Sequence, residues 1–138
     1  MLKEGEVAYG FDVEVAGVFD AVRTQVVDAL KGQGFGVLTE IDVSATMKAK
    51  LGQDMPRYNI LGACNPTLAH KAISAEPDIG LLLPCNVLLN ETAPGTVKVS
   101  FMDPVAVLAL VSNPEVTELG WQVRAKLEAV RDSLKSAG

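Results

Sequence analysis

Two asparagine-proline pairs set where helices begin in this chain of 138 residues. Asn65-Pro66 and Asn113-Pro114 each join a helix-capping side chain to a proline at the first helical position, where the missing N–H removes no intrahelical bond. The apolar run Tyr58–Cys64 comes directly before the first pair and reads as a strand. We therefore predict that a strand passes straight into a helix over Pro66–Ala75, and that a long helix begins at Pro114.

Hydrophobic periodicity predicts the elements of the first half of the chain. One apolar set alternates with other residues, as in a strand with a single buried face; it comprises Val7, Tyr9, Phe11, Val13 and Val15. A second set has helical spacing; it comprises Phe19, Val22, Val26 and Leu30. Gly32 and Gly34 should end that helix. A strand over residues 37–43 and a short amphipathic turn over residues 45–51 follow.

The second half predicts a hairpin and two further helices. Residues 79–90 read as one long strand, interrupted at Pro84 by an edge or a bulge. Pro94-Gly95 turns the chain into a strand over residues 97–103, and Asp103-Pro104 opens a short apolar helix. The terminal helix carries one apolar stripe, formed by Val116, Gly120, Val123, Leu127, Val130 and Leu134.

The order of elements is thus βαβ(α)βαββαα. This order predicts an α+β fold with a mostly antiparallel sheet and helices packed on one face. No linker or low-complexity tract divides the sequence, so residues 1–138 are expected to form a single domain.

Composition argues against two classes of partner and indicates the cellular compartment. The net charge is −5, and no cluster of lysine and arginine is present, so we expect no nucleic-acid partner. The apolar runs are shorter than the ~20 residues of a membrane helix, so no membrane association is expected. The start of the chain has no apolar signal region, which predicts a cytoplasmic protein. Two cysteines in such a chain are typical of free thiols or ligands.

Both cysteines are followed at once by asparagine, and this repeated pair is the strongest local indication of chemistry. Cys64-Asn65 and Cys85-Asn86 each close an apolar run beside a proline. Cys64 would lie just before a helix amino end, where the helix dipole stabilises a thiolate, so it is the candidate catalytic residue. The alternative is that Cys64 is a small, inert residue closing a strand. Cys85 shares its predicted strand face with Leu81, Leu83, Val87 and Leu89, which favours a structural role.

A metal site at Cys64, His70 and Cys85 is a minor hypothesis. His70 is the only histidine, and helical spacing directs it about 130° away from the apolar stripe of its helix. Two cysteines without a further clustered ligand pair also fall short of a zinc pattern. We therefore predict no metal, and the residues indicate no particular cofactor.

Three segments resemble the signature of domain-of-unknown-function family 302. They are residues 58–66, residues 77–87 and Asp103-Pro104, and residues 34–42 fit less strongly. The resemblance runs from about residue 11 to 134. It implies an architecture similar to that of the TATA-binding protein and the formation of a homodimer, and it indicates no particular activity. Tyr58 and Asp103 belong to these segments and join Cys64, Asn65, Cys85 and Asn86 as candidate ligand-binding residues.

Three hypotheses of function remain open. The first is a domain that binds a small molecule or a thiol in a pocket where Cys64 and Cys85 meet. The second is a thiol-based enzyme or redox protein with Cys64 as its reactive group. The third is a structural or regulatory dimerisation module without chemistry, in which Trp121 lies about 140° from the stripe of the terminal helix and contacts a second copy.

Overall fold

The computed structural model describes residues 6–137. Six strands form one sheet in the order β1-β2-β6-β5-β4-β3, and every neighbouring pair is antiparallel. The strands are β1 (Glu6–Val7), β2 (Gly10–Ala16), β3 (Gly36–Asp42), β4 (Tyr58–Cys64), β5 (Cys85–Ala93) and β6 (Thr96–Met102). The helices are α1 (Phe19–Gly32), α2 (Val43–Leu51), α3 (Pro66–Ala75), α4 (Pro104–Leu108) and α5 (Pro114–Ala137), and a 3₁₀ helix spans Pro77–Leu82. The predicted α+β class is confirmed. No described helix is long and apolar enough to cross a membrane.

Side-chain caps fix the helix starts that the sequence predicted. The Asn65 side chain accepts a hydrogen bond from the Leu68 amide at 3.3 Å, and Asn113 accepts one from the Glu115 amide at 3.0 Å. Asp103 caps α4 in the same way. Each cap satisfies an amide that has no partner inside its helix, so the local sequence decides these boundaries.

Helix α1 is followed by a glycine that adopts the left-handed backbone conformation. Gly34 has a φ of 85°, its amide donates to the Lys31 carbonyl, and the Phe35 amide donates to the Leu30 carbonyl. This is a Schellman arrangement, in which a left-handed residue lets the chain turn while the last carbonyls stay bonded. Leu30 and Phe35 are both buried, so this turn also places two side chains in the core.

Two clusters of buried side chains hold the domain together. The first fills the space between one face of the sheet and the helices α1 and α5. The second lies beyond the end of the sheet, among α3, the 3₁₀ helix, α4 and the first turns of α5. Helix α5 is long enough to serve both clusters: Val116 and Leu119 belong to the second, and Leu127, Val130 and Leu134 to the first.

Three details of the predicted strands are wrong. Residues 79–90 do not form one strand, because Pro77–Leu82 turns as a 3₁₀ helix and β5 begins only at Cys85. Leu81 is therefore 88% exposed and does not share a face with Cys85. Val7 and Tyr9 are also exposed, since the chain makes a tight turn between β1 and β2. Alternating apolar residues in a sequence do not by themselves distinguish a continuous strand from a 3₁₀ helix or a tight turn.

Strand β3 spans Gly36–Asp42, close to the predicted residues 37–43, and none of its residues is fully buried. It lies at the edge of the sheet, paired only with β4 among the described residues, and its register shifts between Val37 and Thr39. Leu38 and Ile41 consequently remain more than half exposed. The irregularity lies beside the segment that carries Cys64, since Gly36 pairs with Cys64.

Candidate active cavity

The two cysteines lie at the same end of neighbouring strands. Cys64 ends β4, Cys85 begins β5, and the antiparallel register sets Cys85 opposite Ala63. Cα atoms on paired strands are about 5 Å apart, so the two cysteines are near neighbours. Both are free thiols. The predicted proximity follows from the register, although Cys85 begins its strand and does not end it.

A cavity of about 340 Å³ opens beside both thiols. It occupies the junction between the two buried clusters, with the end of the sheet on one side and α3, α4 and α5 on the other. Its described lining comprises Phe35, Leu38, Thr39, Ala63, Cys64, Asn65, Leu68, Ala69, Ala72, Ile73, Gly80, Leu83, Pro84, Cys85, Pro104, Leu108, Leu119 and Val123. No lysine, arginine, aspartate, glutamate or histidine is among them.

Helix α3 supplies one wall of the cavity. Leu68, Ala69, Ala72 and Ile73 lie at helical spacing on one face of this helix, and all four line the cavity. Leu68 and Ala72 are also buried in the second cluster, whereas Ile73 is 46% exposed at the edge of the face. The apolar stripe of α3 therefore faces a space that is only partly filled by the protein itself.

A glycine on β4 lets two other walls approach each other. A Cβ atom at Gly62 would lie 2.2 Å from Thr39 Oγ1 and 2.9 Å from Pro84 Cγ, distances that atoms do not adopt. Only glycine therefore allows the edge strand β3 and the segment before β5 to close over β4 at this point. Thr39 and Pro84 both line the cavity, so this close approach shapes it.

The two thiols have different surroundings. Cys85 is only 8% exposed, and burial raises its pKa to about 11, with a smaller contribution from the neighbouring Cys64. The cause is the cost of placing a thiolate among apolar groups. Cys85 is therefore protonated at neutral pH. Cys64 is half-buried and lies directly before the capped start of α3.

Asn65 contributes to the site mainly by fixing the backbone. Its side-chain oxygen Oδ1 accepts a hydrogen bond from the Leu68 amide, and its Nδ2 donates to the Gln33 carbonyl at a long 3.5 Å. The side chain thereby ties the start of α3 to the end of α1. Because Asn65 follows Cys64, this tie also holds the thiol in place at the cavity wall.

Three predicted site residues are not among those that line this cavity. Asn86 follows Cys85 on β5, so strand alternation directs it to the opposite face, where it borders a shallow depression with Leu88 and Ser100. Tyr58 begins β4, at the far end of the strand from Cys64. Asp103 caps α4 and forms an ion pair with Arg124. The cavity thus groups Cys64, Asn65 and Cys85 without these three.

His70 is exposed on α3 and is not among the cavity residues, as helical spacing predicted. Within residues 6–137, no group of three or more histidine, cysteine, aspartate and glutamate side chains could hold a metal ion. The polar side chains that line the cavity are those of Thr39, Asn65 and the two cysteines.

Sequence patterns missed part of the lining because it comes from distant segments. Leu38 and Thr39 belong to the irregular part of β3, while Pro104, Leu108, Leu119 and Val123 come from α4 and α5. Only the tertiary packing of α4 and α5 against α3 brings them together. The glycine within the apolar run of β4, Gly62, was the one local signal of a close approach in this region.

A polar cluster lies elsewhere, between α1 and the strands β3 and β4. Arg23 forms a bidentate contact with Glu40, and the Asn59 side chain donates to the same carboxylate at 2.6 Å. The hydrogen bond from Arg23 is the main cause that lowers the pKa of Glu40, opposed by partial burial. Glu40 therefore stays ionised, and the cluster ties the edge strand β3 to α1.

The fold and the cavity define a small α+β domain with a six-stranded antiparallel sheet and an apolar, thiol-bearing cavity at one end of that sheet. A family model described as "Domain of unknown function DUF302" matches residues 11–134. The chain belongs to this family, as the resemblance of its cysteine-asparagine segments implied.

Similar proteins extend this assignment to the three-dimensional fold. A crystal structure described as an uncharacterized conserved protein DUF302 from Bacillus stearothermophilus superposes with a TM-score of 0.83, at 25% sequence identity, over 91% of this chain and 98% of that one. An uncharacterized protein of Aquifex aeolicus (strain VF5) is 27% identical over 85 residues, which are 62% of this chain. The matched region spans 53% of that relative's length.

Proposed function

We propose that this domain binds a small molecule in the cavity beside Cys64 and Cys85. The observation that carries the proposal is the cavity itself, about 340 Å³ in volume, at the point where both thiols and the capped start of α3 meet. Known small-molecule sites are concave, mostly apolar and supplied with a few polar groups, and their volumes begin at about 300 Å³. Cys64 and Cys85 are the proposed contacts, with Asn65 holding Cys64 in position.

The volume sets the size of the ligand. At about 30 Å³ for each non-hydrogen atom, the space admits a molecule of about ten such atoms. A wider depression of about 610 Å³ lies along α4 and the start of α5, but no thiol borders it. We therefore assign the binding role to the cysteine-lined cavity.

The test is a titration followed by amide chemical shifts. Small organic compounds of about ten non-hydrogen atoms, neutral and charged, are added to ¹⁵N-labelled protein. Binding in the cavity should shift the amides of Ala63, Cys85 and Ala72 together, and leave the far end of the sheet around Gly95 unchanged. A library that produces no shifts at these amides would contradict the proposal.

A cavity-filling substitution gives the matched comparison. Ala69 lines the cavity, whereas the next residue, His70, is exposed and does not. Ala69→Phe should abolish the ligand-dependent shifts, and His70→Phe, which adds the same ring on the other side of α3, should retain them. Equal loss in both variants would indicate an effect on α3 and not on the cavity.

A second candidate function is thiol chemistry at Cys64. It is supported by the contrast between the half-buried Cys64 and the buried Cys85, whose pKa is raised to about 11. In this alternative Cys64 is the reactive group and the cavity receives its partner. A cytosolic location would suit either function, because thiols stay reduced there. Thiol reactivity of the two cysteines, measured separately, distinguishes this candidate from simple binding.

A further inference from the structure

We infer that the molecule bound in this cavity is electrically neutral and rich in hydrocarbon. The inference rests on the proposed function, because it names the class of ligand for the same cavity. It starts from the composition of the wall: the described lining contains fourteen residues with hydrocarbon side chains or none, together with Thr39, Asn65 and the two cysteines.

Charge is absent from the lining on every side. The sheet end, α3, the 3₁₀ segment, α4 and α5 each contribute residues, and none of these residues carries a carboxylate, an ammonium or a guanidinium group. A charged ligand group would therefore lose its water without gaining an ion pair, which proteins avoid at buried sites. The alkyl and aromatic wall instead favours hydrocarbon, whose removal from water is favourable.

The polar groups of the wall also suit a neutral ligand. Cys85 remains a thiol at neutral pH, because burial raises its pKa to about 11. A protonated thiol is a weak donor and brings no charge that a cation could pair with. The side chain of Asn65 already caps α3 through the Leu68 amide and contacts the Gln33 carbonyl. These groups can orient a hydroxyl, carbonyl or amide, but they offer no full counter-charge.

The mouth of the cavity is lined by apolar side chains as well. Leu38 and Ile73 both line the cavity and are both exposed to solvent, 67% and 46% respectively. They therefore form an apolar rim through which a ligand would enter. This rim extends the hydrocarbon surface that a ligand contacts as it enters.

The amino end of α3 is the one feature of this cavity that could favour an anionic ligand. Helix α3 begins at the cavity, and the amino end of a helix attracts anions. Here, however, Pro66 at the first position has no N–H, and Asn65 already accepts the Leu68 amide. The anion-binding capacity of this end is thereby reduced, so we assign the neutral class.

Four linear probes with eight carbon atoms each test the inference. The probes are 1-octanol, octanamide, octanoate and octylammonium, each of about ten non-hydrogen atoms, and dissociation constants come from amide chemical shifts at neutral pH. 1-Octanol and octanamide should bind with similar affinity, and both ions should bind at least about tenfold more weakly. Ala69→Phe should remove binding of the neutral probes, and His70→Phe should not.

The outcomes separate the inference from the proposed function. If octanoate or octylammonium binds as tightly as 1-octanol at the cavity amides, the neutral class is wrong while the small-molecule site stands. Tight binding of octanoate alone would assign the site to anions at the start of α3. If none of the four probes and no library compound shifts the cavity amides, both the inference and the proposed function fail. Because the probe series uses the unaltered protein, this result does not depend on the folding of any variant.

Discussion

Replacing Cys64 by alanine should remove almost all of the thiol reactivity of the native protein. The variant retains only Cys85, which is 8% exposed and has a pKa of about 11, against a usual value of 9.0 for the thiol. The thiolate is the reactive form, so a pKa raised by about two units lowers the reactive fraction about 100-fold at neutral pH. Limited access to the buried sulfur should slow the reaction further.

The assay follows modification by a chromogenic disulfide reagent at about pH 7.5, in native protein and in denaturant. Cys85→Ala, which retains the more exposed Cys64, is the matched control and should react faster than Cys64→Ala. In denaturant the two variants should react at similar rates. If native Cys64→Ala reacts as fast as Cys85→Ala, the assigned burial and pKa of Cys85 are wrong. If both variants react only after unfolding, Cys64 is an inert wall residue.

Three further predictions concern stability and assembly. Leu127→Ala, at a fully buried position of α5, should lower the free energy of unfolding by about 3 kcal/mol in urea titrations, and a loss under about 1 kcal/mol would contradict the described core. Because the folded-state pKa of Glu40 is lowered, its contribution to stability is present above its unfolded pKa and is lost as the pH falls through the folded value. The stability difference between the parent and Glu40→Gln should therefore shrink between about pH 7 and pH 3, and a difference that stays constant would refute the contact with Arg23 as its source. Trp121 is 55% exposed on α5, and we propose that it forms a contact between two copies of the chain. Trp121→Ala should then weaken self-association, measured by sedimentation across a concentration series. Unchanged self-association would exclude Trp121 from the contact.

Local signals predicted most element boundaries correctly. The bounds of β4 and α3 follow from an apolar run, an asparagine cap and a proline at the first helical position. These signals act within a few residues and do not depend on the rest of the fold. The end of α1 is likewise determined locally, through the left-handed Gly34.

The errors occurred where tertiary packing decides the outcome. Residues 79–83 are apolar enough for a strand, yet a 3₁₀ turn buries Ile79 in the second cluster and exposes Leu81. The alternating pattern of a strand could not reveal this, since hydrophobicity alone does not fix the backbone of a short apolar run. Strand β3 reads as half-buried, but its edge position leaves Leu38 at the rim of the cavity.

The sequence predicted the cysteine-asparagine residues of the candidate site but not the other residues that line the cavity. The repeated cysteine-asparagine pair identified Cys64, Asn65 and Cys85, and the antiparallel register places the two cysteines at the same end of neighbouring strands. Asn86 shares the motif but points to the other face, because neighbouring residues of a strand alternate in direction. The walls from α4 and α5 depend on how those helices pack, which no local pattern in this sequence specifies.

A crystal of the protein pressurised with xenon tests most directly whether the cavity can hold a ligand. Xenon binds in dry apolar cavities large enough to hold it. We expect a xenon atom, or a small molecule retained from the cell, enclosed by Cys64, Ala69 and Leu108, and no such occupancy in a crystal of Ala69→Phe. A structure in which neighbouring side chains fill this space, with no bound atom between the sheet end and α3, would show that the domain holds no small-molecule cavity beside its two thiols.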